Sequence, residues 1–291
     1  MNKAPARPLQ ESSAPPHRPL CQTGAFWFTC HFLPGTLAIG FVGPLSGLSL
    51  WQSLLAIIPA VLLGSLVPVF CRSSRFTLPV ALLLNVLNLE ILFRMATHVL
   101  PGTPLNWQLL ALMLAALIAL AGPTLLYRMQ ALFAPLLAVV FGLITLGAFL
   151  ILEPDSAPRP LNFSWPAFGA LALLAALWQS SLTPLASQGT PSYVGIALPA
   201  LWLMALGALM ASAIPAVDTV VSLRLVANHF YPGLGTLGVV LLAVAMVGAM
   251  AAHGHALVHR HNEKARGLML AGFSLLALWL AGQFWLTELL R

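Results

Sequence analysis

Glu90 and Arg94 stand one helical turn apart inside "LLNVLNLEILFRMATHVL", residues 83–100, an apolar run long enough to cross a bilayer. A charge at that depth is costly unless it is paired, so the two side chains are expected to form an i,i+4 ion pair facing a bundle interior. On a helix, Glu90, Arg94 and His98 step by four along one stripe, and Asn85 and Asn88 lie on a different face. Such a stripe reads in two ways. It is a substrate or proton site, or it is a self-neutralising pair that fixes helix packing with no ligand. A second group of ligating side chains lies in "AHGHALVHRHNEKAR", where His255 and His259 share a helix face and His253 and His261 stand nearby. No HExxH or comparable zinc signature accompanies them. The stretch therefore reads as the basic, cytosolic end of a helix, complementing its dipole, and no metal site is assigned. Cys21, Cys30 and Cys71 have no metal-ligand spacing. No nucleophile–base pair or metal motif argues for an enzyme.

The elements that must hold these residues are membrane helices. Of 291 residues, 59% are hydrophobic and 7% charged, against about 25% charged in soluble domains. Apolar runs between breakers predict nine spans at about 24–46, 50–70, 78–99, 107–127, 130–152, 166–187, 194–216, 232–254 and 267–288. Residues 217–233 are predicted as a short interfacial helix before the eighth. The Pro-rich, polar residues 1–22 read as a disordered cytosolic tail, and 23–291 as a single transmembrane domain. With the N-terminus inside, Lys3, Arg7, Arg18, Arg72, Arg75, Arg128, Arg260, Lys264 and Arg266 are cytosolic. Arg159, Arg224 and Arg291 fall outside, a positive-inside bias. The net charge of +6 is thereby spent on topology and not on a nucleic-acid patch. Trp51, Trp107 and Trp165 stand near span ends as interfacial anchors.

Two spans carry breakers at matching places. The first has Pro34-Gly35 near its middle, in "HFLPGTLAIGFVG"; the sixth has "WQSSLTPLASQGTP", with Pro184. Breaks five spans apart point to an inverted-repeat transporter, in which unwound backbone at the midplane holds a ligand. The plainer alternative is a proline kink in the first span and a frayed end at 180–192.

"GLSLWQSLLAIIPAVLLGSLV" (47–67) resembles the first-to-second-span region of the nucleobase:cation symporter family, which includes cytosine, purine, uracil, allantoin and hydantoin permeases. "LPVALLLNVLNLEILF" resembles its third span, "YRMQALFAPLLAVVFGLITL" its fifth and "ALWLAGQFWLTELL" its ninth, so the resemblance covers residues 25 to 290. It implies a LeuT-like fold of two inverted five-helix repeats, the first at about 23–152 and a partial second at about 165–291. The last helix of the second repeat is missing. It also implies Trp178 as the aromatic that stacks on a nucleobase, with Gln179 and Ser180 as hydrogen-bonding neighbours. Glu90 replaces the family's third-span Trp, and Arg94 a Gln that many members have. Where the family binds sodium with a Ser/Thr pair followed by Asn, this chain has Ala251, Ala252 and His253. Losing two hydroxyl ligands argues against sodium coupling, and protons through Glu90 or His98 replace it in this reading.

The expected function is secondary transport of a nucleobase-like or related small heterocycle across the cytoplasmic (inner) membrane. Substrate contacts come from Trp178, Gln179, Ser180, Glu90 and Arg94, helix breaks from Pro34, Gly35 and Pro184, and no cofactor is implied. The small-molecule substrate and the lipid bilayer are the expected partners, together with a homo-oligomer that covers the incomplete repeat. The alternative is a degenerate, non-transporting relative that keeps the fold for partner binding or sensing.

Overall fold

The computed structural model describes residues 20–70, 77–99, 101–158, 162–181, 185, 192–215 and 218–258, with isolated positions between 267 and 282. Among these residues every regular element is helical. The first two, α1 (Leu20–His31) and α2 (Pro34–Leu45), are bent by 51° across Phe32 and Leu33. Next come α3 (Leu50–Gly64), α4 (Leu66–Phe70), α5 (Thr77–Val99) and α6 (Pro104–Ala121). They are followed by α7 (Pro123–Ile151), α8 (Trp165–Ser180), α9 (Tyr193–Ala213), α10 (Thr219–Phe230) and α11 (Leu234–Val258).

Four stretches are long and apolar enough to cross a membrane: Leu50–Phe70, Pro123–Ile151, Tyr193–Ala213 and Leu234–Ala256. The bent pair makes a fifth if it counts as one span. Their outer faces are bare hydrocarbon; Leu132, Phe149 and Leu150 are 71, 69 and 69% exposed. Such a surface belongs in lipid, so the chain is an all-α membrane protein. Of the remaining helices, α5 carries the four polar or charged side chains Asn85, Asn88, Glu90 and Arg94 within its apolar run. At 16 residues, α8 rises about 24 Å, less than a hydrocarbon core of about 30 Å. It was expected to run to residue 187. Instead the Ser180 and Ser181 hydroxyls donate to Leu177 O and Trp178 O, at 2.9 and 2.6 Å, and satisfy carbonyls of the last turn. The ninth predicted segment lies largely outside the described residues.

Early and late parts of the chain interleave. α2 lies along α9, and α3 along α8 and α9. At the α2–α9 crossing Gly40 meets the backbone of Met204 and Ala208, and Gly207 meets Leu37 O, so closely that a Cβ on either would collide with main chain. Small residues bring membrane helices together in this way because dispersion, not water exclusion, drives their association. α10 starts on Asp218, whose carboxylate accepts from Val220 N and Val221 N at 2.8 and 2.9 Å. It packs on α11 and α7, where a short interfacial helix was expected.

Candidate functional site

The break between α1 and α2 follows from the local sequence. Pro34 has no N–H to continue the ladder, and it forces Leu33 into an extended conformation, φ −116° and ψ 149°. Pro34 is therefore the first residue of α2 rather than the break itself. The freed backbone is then held from two sides. On one, Phe32 turns edge-on into Phe141 of α7 and Trp202 of α9, with centroids 4.7 and 5.8 Å away. On the other, Thr36 Oγ1 donates to His31 O at 3.0 Å and accepts from Trp178 Nε1 at 2.9 Å. One hydroxyl thus ties both halves of the broken helix to α8.

Trp178 touches the three larger buried clusters of the bundle. Its ring lies on Gly35, where a Cβ would sit 2.7 Å from Cη2, with Ile91 of α5 beside it. The other two residues expected beside it point elsewhere, as successive residues on a helix must. Gln179 is fully buried and takes a long hydrogen bond, 3.4 Å, from Ser65 Oγ between α3 and α4. Ser180 is exposed.

Glu90 and Arg94 form the expected pair, with Arg94 Nε 3.2 Å from Glu90 Oε1. Arg94 is 53% exposed and stands at the edge of the bundle, whereas Glu90 is 19% exposed and its Oε2 is buried with no partner among the described residues. The interior face of α5 also carries Asn85 and Asn88, 2 and 1% exposed. His98 and Pro184 lie outside what the structure describes of side chains.

Sequence reasoning missed a set of buried polar side chains. His31 Nδ1 donates to Trp27 O at 2.9 Å, which leaves Nε2 as a bare lone pair with no donor. His253 is fully buried, and neither of its ring nitrogens has a hydrogen-bond partner among the described residues. Asn88 Oδ1 and Nδ2 and Asn85 Oδ1 are likewise unpartnered and buried. Their chain neighbours Cys30 of α1, Leu84 and Leu89 of α5 and Ala252 of α11 share one apolar cluster. Lone pairs and N–H groups are both left over, so the set suits a neutral molecule that offers acceptors and donors together, or water. The signal in the sequence was present: Asn85 and Asn88 are three apart, and His31 stands just ahead of the breaking proline.

The described part of the histidine stretch, His253 and His255, lies in the last turns of α11. α11 runs on to Val258, which buries His253 and lets His255 Nδ1 meet Ala119 O of α6 at 3.1 Å. His259 and His261 lie outside the described residues. Among the described residues no three His, Cys, Asp or Glu side chains gather as a metal centre requires. Compared with models of known protein families the chain matches none, and no curated protein matches it.

Proposed function

We propose that the chain is a secondary transporter that binds a small polar heterocycle, of nucleobase-like shape, at the α1/α2 break. One observation carries this reading: a helix interrupted inside the bundle, clamped to an aromatic side chain by Thr36, beside a set of buried polar atoms with no partner among the described residues. Broken helices supply just such ligand sites in transporters. Buried polar groups are costly to leave unmade, and a cycle of binding and release gives them a use.

In this proposal the nine spans belong to a LeuT-like inverted repeat, in the inner membrane with a cytosolic N-terminus. The interleaving of α2 and α3 with α8 and α9 supports it. Trp178 presents an aromatic surface at the break, Asn85, Asn88, His31 and His253 offer hydrogen bonds, and Glu90 pairs with Arg94 at the edge. Coupling runs through protons, with Glu90 and His98 as carriers. Ala251 and Ala252 offer no side-chain oxygen to sodium.

A second reading, a non-transporting relative, draws on the same tryptophan. Its N–H is taken by Thr36 and part of its ring is covered by Gly35, so the protein itself fills part of the stacking surface. Uptake of labelled cytosine, uracil, adenine, hypoxanthine, allantoin and hydroxymethylpyrimidine by cells expressing the chain separates the two. Saturable uptake of one compound, lost in Asn88→Leu, is expected. No uptake and no ligand-dependent thermal stabilisation across the panel would sink the transporter.

A further inference from the structure

A cavity lies between α6, α7 and α11, with Thr29 of α1 and Leu92 of α5 at its inner end. α6 and α7 are joined through a single residue, Gly122 at φ +96°, and both start with proline. Each packs along α11 far more than along the other, so the two diverge from Gly122 and leave a cleft between them. Its volume is about 360 Å³, at the lower end of the ~300–1,000 Å³ typical of small-ligand sites. Val240, Val244 and Val247 of α11 form its floor, and Leu114, Met129 and Phe133 its walls.

The lining is apolar almost throughout and carries no charged side chain. The Thr29 hydroxyl is spent inside the protein, on Ala25 O and Gln130 O at 2.9 and 3.3 Å. The Trp107 indole N–H is spent on Pro101 O at 2.8 Å. The Gln130 carboxamide lies flat on Gly248, where a Cβ would be 2.5 Å from Nε2, and is the one amide in the wall. Water gains little in such a place, since apolar cavities stay dry. An empty cleft forfeits dispersion on every wall.

The mouth decides the occupant. Two of the side chains that line the cleft, Leu110 and Leu114 of α6, are also exposed on the outer surface of the bundle. The cleft is therefore continuous with the lipid-facing surface. We propose that it is a binding site for one acyl chain of a bilayer lipid, which enters sideways between α6 and α7 and holds them apart. The proposal rests on the chain's lying in a membrane and is independent of any transported substrate.

The test places the full chain in vesicles of phosphatidylethanolamine and phosphatidylglycerol containing a phospholipid with a mid-chain diazirine. After irradiation, label is expected on Leu114, Met129 and Phe133 in excess of the equally apolar outer faces of α3 and α8. Ala243→Phe, which fills the cleft from its floor, should abolish that excess and leave the outer labelling intact. Should that variant not fold, Val244→Phe serves the same purpose, and competition by unlabelled phospholipid in the wild type gives a readout without substitution. Label spread evenly over all apolar faces overturns the proposal. So does labelling of the cleft by a water-soluble diazirine, or an excess that survives the filled cleft.

Discussion

Replacing Thr36 by valine keeps the shape of the side chain and deletes one hydroxyl, so the result reports on hydrogen bonding alone. Two bonds are lost. Trp178 Nε1 loses its 2.9 Å acceptor inside the bundle, and His31 O loses one of two donors while keeping Leu33 N at 2.9 Å. A buried donor left unmade costs about 1–3 kcal/mol, and a bond lost from a still-satisfied carbonyl about 0.5–1.5 kcal/mol. Thr36→Val should therefore destabilise the protein by about 2–4 kcal/mol. Trp178→Phe removes the same bond from the other end. In its background Thr36→Val leaves no orphaned N–H, so the double variant should fall short of additivity by about 1–3 kcal/mol. Thr36→Ser should stay close to wild type. The measurement is unfolding in mixed micelles titrated with sodium dodecyl sulfate, followed by far-ultraviolet circular dichroism. A Thr36→Val protein within about 0.5 kcal/mol of wild type, together with an additive double variant, would refute the hydroxyl as the clamp of the break.

Asn88→Leu removes two unpartnered buried amide atoms and should raise thermal stability in the absence of ligand, by the equivalent of about 1–3 kcal/mol. It should also lose any stabilisation by the uptake panel; a large destabilisation would instead show that the amide is already satisfied. Gly207→Leu sets a side chain against Leu37 O at the α2–α9 crossing and should cost at least about 3 kcal/mol, seen as aggregated protein on size exclusion. A monodisperse variant with full yield contradicts that crossing. Glu90→Gln keeps an acceptor for Arg94 while removing the charge. In the proposed site it alters the pH dependence of uptake at unchanged yield, and a fall in folded protein alone leaves the pair a packing device.

Much of the scaffold was legible because bilayer thickness and backbone chemistry act locally. Apolar runs mark α3, α7, α9 and α11, and Pro34 marks the interruption to within two residues. Which face of α5 looks inward was not legible. One face carries an ion pair and the other two asparagines, and both are polar enough to seek the interior. The structure turns Asn85 and Asn88 inward and leaves Arg94 at the edge, and no local pattern encodes that choice. Trp178, Gln179 and Ser180 take different partners, Thr36, Ser65 and Leu177 O, for a simpler reason. Adjacent helical residues diverge by about 100°, so a run of neighbours seldom lines one site. His253 falls at the end of the predicted eighth span, and α11 runs one turn further, to Val258, with His253 buried.

The glycine crossing of α2 and α9 has a consequence for biogenesis. α2 enters the bilayer early, and its docking surface, Leu37 and Gly40, has no mate until α3 to α8 have been synthesised and inserted. Throughout that interval the nascent chain carries an unfilled groove beside a broken, incompletely hydrogen-bonded helix. The arrival of α9 is therefore the committing event of assembly, and a chain stalled before Tyr193 would present membrane quality control with that exposed groove.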